Sequence, residues 1–121
     1  MEYIVIEAHE TEFPDPLLVK RNEKVVVQGE SEHWKGWIYC IKTDNSNEGY
    51  VPEQIIKYED NYGIITEDYS AKELNVREGD ILEGIKELNG WMWSENKKTH
   101  EMGWIPVKNI KLGFCEIMKL S

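Results

Sequence analysis

The chain has 121 residues, and 23 Asp and Glu outweigh 14 Lys and Arg to give a formal net charge of −9. Duplex nucleic acid and anionic membranes are bound by clustered cations, which this chain lacks, so both are excluded as partners in favour of a basic peptide or protein patch. Two cysteines, Cys40 and Cys115, with no CxxC and no Cys/His cluster, exclude a disulfide framework and supply no metal-ligand spacing.

The elements follow in chain order. Met1 to Glu7 contains no basic leader, so no signal peptide is expected and a cytoplasmic protein is the default reading. Within it Ile4-Val5-Ile6 is a first strand, and Val25-Val26-Val27 is a second. Gly36-Trp37-Ile38-Tyr39-Cys40-Ile41 opens a third strand, and the polar stretch Thr43 to Glu48 turns it into Gly49-Tyr50-Val51-Pro52. A short polar linker around Tyr58-Glu59-Asp60-Asn61 follows. The pattern then recurs with Gly63-Ile64-Ile65, Asp80-Ile81-Leu82, the turn dipeptide Asn89-Gly90, Trp91-Met92-Trp93, the polar stretch Asn96 to Glu101, and Gly103-Trp104-Ile105-Pro106. No window carries three helical turns of apolar periodicity, so long helices are not expected.

Trp37 and Trp91, Gly49 and Gly103, and Pro52 and Pro106 are each 54 residues apart. A period of that length marks two copies of one small unit, each near the lower size limit for independent folding. Five Trp and six Tyr suit such units, because large aromatics supply core area that short chains otherwise lack. The expected division is residues 1–58 and 59–121, the second with a short C-terminal tail.

In order, these motifs carry a family resemblance. Leu74-Asn75-Val76-Arg77-Glu78-Gly79-Asp80-Ile81 resembles the Leu-Ser-Phe-x-x-Gly-Asp segment of Src-homology-3 (SH3) domains. Gly90-Trp91 followed by Ser94 resembles their binding-Trp strand, Gly103-Trp104-Ile105-Pro106 their Gly-Tyr-Ile-Pro, and Asp68-Tyr69-Ser70-Ala71 echoes part of their opening motif. Repeat one keeps Gly36-Trp37 and Gly49-Tyr50-Val51-Pro52 but has Asn22-Glu23 in place of Gly-Asp. The resemblance is to tandem variant SH3 proteins of bacterial type. It implies an all-β fold of two tandem SH3-like barrels, about five strands each.

The resemblance also implies a site. SH3 domains lay extended proline-rich peptides across aromatic grooves beside an acidic loop, and a polyproline helix is pre-extended and loses little entropy on binding. Carried over by position, the ligand-binding shelf of repeat two is Tyr69, Trp91, Trp104 and Pro106, and that of repeat one is Trp37, Tyr50 and Pro52. The acidic loop residues are Glu10, Glu12 and Asp15 in repeat one and Glu67 and Asp68 in repeat two, where a plain solvated face is the commoner role of such residues. The family's closing Ser-Asn-Tyr is replaced by Glu53-Gln54-Ile55 and Val107-Lys108-Asn109, so its groove Tyr is missing from both repeats. Trp37 and Trp91 are expected to be partly exposed, Tyr50 and Trp104 can serve either face, and Trp34 and Trp93 are expected to pack.

Enzyme chemistry finds no support. His9, His33 and His100 lie in different loop contexts without a nucleophile or acid partner at catalytic spacing, and there is no phosphate loop or zinc-protease motif. The expected function is a non-catalytic module, without cofactor or metal, that binds a protein or a proline-rich or basic peptide. The alternative is a structural scaffold or oligomerisation protein whose aromatics are buried. Cell-wall peptide binding, a third reading, is disfavoured by the missing export signal.

Overall fold

The computed structural model describes residues 1–11 and 13–113, so Glu12 and Cys115, named above, lie outside the described residues. The architecture is all-β, as the strand pattern predicts, with two single-turn 3-10 segments at Glu53–Ile55 and Val107–Asn109. The strands are β1 (Glu2–Val5), β2 (Leu18–Val19), β3 (Lys24–Glu30), β4 (Trp37–Lys42), β5 (Glu48–Pro52), β6 (Ile56–Glu59), β7 (Tyr62–Ile65), β8 (Tyr69–Ser70), β9 (Ile81–Leu88), β10 (Trp91–Asn96), β11 (Met102–Pro106) and β12 (Ile110–Leu112).

Two antiparallel five-stranded sheets carry the molecule. One runs β5-β4-β3-β7-β6 and the other β11-β10-β9-β1-β12, so corresponding strands occupy corresponding places, as in SH3-like barrels. Hairpin chemistry is local and follows the sequence. Asn89 and Gly90 take φ values of 49° and 86°, the left-handed pair that a two-residue hairpin needs, and Leu88 faces Trp91 across it.

The division along the chain departs from the expected one. The compact units are Pro14–Lys72 on the one hand and Met1–Phe13 with Glu73–Ser121 on the other, called here the inner and outer units. The boundary expected at residues 58 and 59 falls inside β6. The cause is that the linker is no spacer. Asp60 (φ 51°) and Asn61 form a tight turn, Glu59 faces Tyr62 across it, and β7 stays beside β6 in the inner sheet. With that place taken, β1 lies between β9 and β12 in the outer sheet. The first strands of the two repeats have traded sheets.

The exchange extends past the strands. Val19 of repeat one pairs with Tyr69 of repeat two in the inner unit, while His9 pairs with Val76 in the outer unit. Each core is therefore assembled from both repeats. Ile65 joins Leu17, Val19, Val25, Ile38, Cys40, Val51, Ile55 and Ile56 in the inner core. Val5 joins Leu74, Val76, Leu82, Met92, Ile105 and Ile110 in the outer core. Cys40 and Ser94, at matching places in the two repeats, are both fully buried, and each donates to the carbonyl two residues before it (Ile38 O at 3.5 Å, Met92 O at 3.4 Å). Burial pushes the Cys40 thiol up to about 12.

Candidate functional site

In the inner unit, strand alternation sends Ile38 and Cys40 into the core and turns Trp37 and Tyr39 to the opposite face of β4. Across the β4–β5 ladder Trp37 faces Pro52 and Tyr39 faces Tyr50. The two tyrosine rings meet edge-on, with centroids 5.0 Å apart and an interplanar angle of 75°. That is the geometry in which the positive edge of one ring meets the negative face of another. The Tyr39 hydroxyl donates to Glu48 Oε2 at 2.6 Å. Burial first, then the Glu48 hydrogen bond and charge, push the Tyr39 phenol up to about 12. Tyr69, delivered by repeat two, donates its hydroxyl to the Tyr50 carbonyl at 2.9 Å. Tyr50 keeps 36% of its surface exposed.

The outer unit has the same plan with different side chains. The burial pattern of β10 alternates, so Trp91, Trp93 and Glu95 share the half-buried face while Met92, Ser94 and Asn96 point inward. Trp91 faces Pro106, and Trp93 faces Trp104 with ring centroids 5.4 Å apart at 67°. His9, delivered by repeat one, sets its ring edge-on to Trp91 at 5.6 Å and 80°. His9 Nε2 lies 2.7 Å from Glu73 Oε1, with both side chains under a fifth exposed. Glu73 is itself held beside Trp104 by a parallel bridge. The Asn109 side-chain amide donates to the Glu7 and Ala8 carbonyls (3.2 and 3.3 Å), and the Asn109 backbone carbonyl accepts from Ile6 N (2.8 Å) and Glu7 N (3.3 Å). It thereby clamps the segment that carries His9.

The expected shelf residues are regrouped by this geometry. Tyr69 belongs to the face with Trp37, Tyr50 and Pro52, not to the one with Trp91, Trp104 and Pro106, because β7 and the chain after it stay in the inner unit. Trp91 is half-buried as expected, but Trp37 is only 6% exposed, as is Trp104, and both prolines are buried. Trp93, expected to pack, shares the Trp91 face, and Trp34 is half-buried. Among the acids, Asp15, Glu67 and Asp68 lie in the inner unit and Glu10 in the outer; all four are exposed. Asp68 Oδ1 accepts the Arg21 backbone N–H at 2.8 Å, so it also shapes its loop.

Sequence reasoning missed Tyr39, Trp93 and His9. The signal for the first two was present, since the 54-residue period lays Tyr39 on Trp93 just as it lays Tyr50 on Trp104. His9 stands four residues after buried Val5, as Tyr69 stands four after buried Ile65, and that spacing identifies the pair.

Residues 3–59 match the family model of the variant SH3 domain. This segment is a variant SH3 domain. The match ends where repeat one ends, and the second sheet has the corresponding strand order. No curated protein and no solved structure matches the chain. SH3 domains are in general protein-interaction modules, and the match supports that general role for this segment. Among the described residues no group of three or more His, Cys, Asp or Glu is arranged to hold a metal ion, and no helix is long and apolar enough to cross a membrane.

Proposed function

We propose that the protein is a non-catalytic binding module in which each unit offers an aromatic face to an extended basic or proline-rich peptide. One observation carries the reading: both units place an edge-on aromatic pair on their third and fourth strands, and both complete it with a ring from the other repeat. Flat ring faces suit the ridges of an extended peptide. Carboxylates sit beside the rings, Glu48 against Tyr39 and Glu73 against His9, in a chain of net charge −9, which favours cationic residues in the ligand. The ligand-binding residues are Tyr39, Tyr50 and Tyr69 with Trp37 and Pro52 behind them, and His9, Trp91 and Trp93 with Trp104 and Pro106 behind them.

The test uses fluorescence anisotropy with a labelled proline-rich peptide containing arginine, and the same peptide with glutamate for arginine as control. Trp91→Ala is expected to weaken binding of the arginine peptide by tenfold or more at the outer face, since truncating an interface Trp costs about 2 kcal/mol or more. Its thermal transition should remain cooperative. Equal binding of the two peptides, or loss of the transition, overturns the reading.

A scaffold role is the second reading. It is favoured by the low exposure of Trp37 and Trp104, which leaves those two rings little surface for a ligand. A concentration-independent dimer in sedimentation equilibrium, with no peptide binding, would select it.

A further inference from the structure

The two first-strand slots are equivalent in register. In the outer sheet Ile4 faces Ile81 on one side and Lys111 on the other. In the inner sheet Ile64 faces Lys24 and Lys57. A chain in which each repeat kept its own first strand would form the same ladders, so backbone pairing does not choose between the two arrangements. Side-chain volume does.

Gly63 is the inner-sheet counterpart of Tyr3, each lying one residue before the isoleucine of its register. A Cβ placed on Gly63 would come within 2.9 Å of both Ile56 Cγ2 and Val27 Cγ2. Those methyls belong to β-branched side chains in a packed sheet, which have little rotameric room to yield. The outer sheet reverses the sizes. The Tyr3 ring lies over Gly84, where an added Cβ would fall 2.6 Å from Tyr3 Cε2 and 3.2 Å from Met92 Sδ. Gly84 stands where the inner sheet has Val27, two residues beyond the buried pair Leu82 and Val25. Large sits with small in both sheets: Tyr3 with Gly84, and Val27 with Gly63. Unexchanged strands would set Tyr3 against Val27 and Ile56, where not even its Cβ fits, and would leave Gly63 over Gly84 with a void where the Tyr3 ring now lies.

We propose that this size matching at Tyr3, Gly84, Gly63 and Val27 sorts the first strand of each repeat onto the other repeat, so that each aromatic face is a joint product of both. The tight Asp60–Asn61 turn makes the same choice by reach, and the side chains make it independently. Overpacking on one side and a cavity on the other discriminate against the unexchanged form, which is the usual way a fold excludes a close alternative. The sorting fixes the chemistry of the faces, because it sends His9 to Trp91 and Tyr69 to Tyr50. That these faces bind a ligand rests on the proposed function; the sorting itself is read without one.

The experiment takes the full chain and inserts a flexible Gly/Ser spacer of about ten residues between Asp60 and Asn61, which removes the constraint of reach. Cross-strand amide nuclear Overhauser effects then report the neighbours of Ile4. With the spacer alone, Ile4 is expected to keep Ile81 and Lys111 as neighbours. A switch to Lys24 and Lys57 would show that the turn alone decides and would overturn the proposal. The spacer combined with Tyr3→Gly and Gly63→Tyr reverses the sizes and is expected to move Ile4 to Lys24 and Lys57. Retention of Ile81 and Lys111 in a folded triple variant would overturn it equally. If that variant does not fold, the spacer-only protein decides.

Discussion

The inner and outer units use one strand order to hold two kinds of aromatic face. The inner face is built of tyrosines, two of them with engaged hydroxyls, Tyr39 on Glu48 and Tyr69 on the Tyr50 carbonyl. The outer face is built of indoles, with a histidine held by a carboxylate. Because the strand orders correspond, the difference lies in the side chains: each repeat's own third and fourth strands supply the edge-on pair, Tyr39 and Tyr50 or Trp93 and Trp104, and the exchange supplies Tyr69 or His9. The scaffold fixes where a ring goes, and the exchange decides which third ring joins each pair.

The most severe way to break this comparison is through the cores. Ile65 lies in repeat two by sequence but in the inner core by structure, fully buried. Ile65→Ala is expected to cost about 2–5 kcal/mol, the range for a buried aliphatic truncation. In amide hydrogen exchange the lost protection should fall on β3, β4 and β5. If β9, β10 and β11 lose protection instead, the units have been divided wrongly.

Asn109 sharpens the comparison at the outer face. It stands in the closing segment where SH3 domains carry a ligand-contacting Tyr, and here its amide holds the chain before His9. Its Oδ1 is buried with no hydrogen-bond partner among the described residues. Asn109→Ala removes the donor to the Glu7 and Ala8 carbonyls and should destabilise the outer unit by about 0.5–1.5 kcal/mol, the range for a lost hydrogen bond. It should also shift the His9 ring resonances while leaving those of Tyr69 unchanged. Equal disturbance of both rings would contradict a local clamp.

The buried cysteine gives a pH signature confined to the inner unit. An unfolded thiol ionises near 9, whereas folded Cys40 holds its proton up to about 12. The unfolded state therefore sheds the proton first, and this contribution to stability is complete below pH 9 and declines as pH rises to about 12. Cys40→Ser, which copies Ser94, removes the ionisation. The stability difference between wild type and variant, measured by urea unfolding, should shift against wild type across that window. A constant difference would show that the thiol is solvated.

The smallest expected effect is at Tyr39. Tyr39→Phe removes a solvent-screened bond to Glu48 and should cost about 0.5–1 kcal/mol. In an alkaline absorbance titration it should delete a late phenol that ionises near 12. An unchanged titration would mean that Tyr39 is not held by Glu48.

Local features were legible in the sequence and partner choice was not. Gly36-Trp37, Gly90-Trp91 and Asn89-Gly90 are decided by adjacent residues, and the strands and turns they specify are present. Which sheet receives Ile4 or Ile64 depends on residues such as Val27 and Gly84, far away along the chain, and apolar pattern does not distinguish two isoleucines bound for equivalent slots. Trp37 taught a related lesson. Alternation showed which face of β4 it takes, but not how much of that face remains open.

The most direct test of the exchange reads the unaltered protein. Nuclear Overhauser effects across the short strand pairs should connect Tyr69 with Val19 and His9 with Val76. The opposite pairing, Tyr69 with Val76 and His9 with Val19, would mean that each repeat keeps its own first strand and that neither aromatic face is shared.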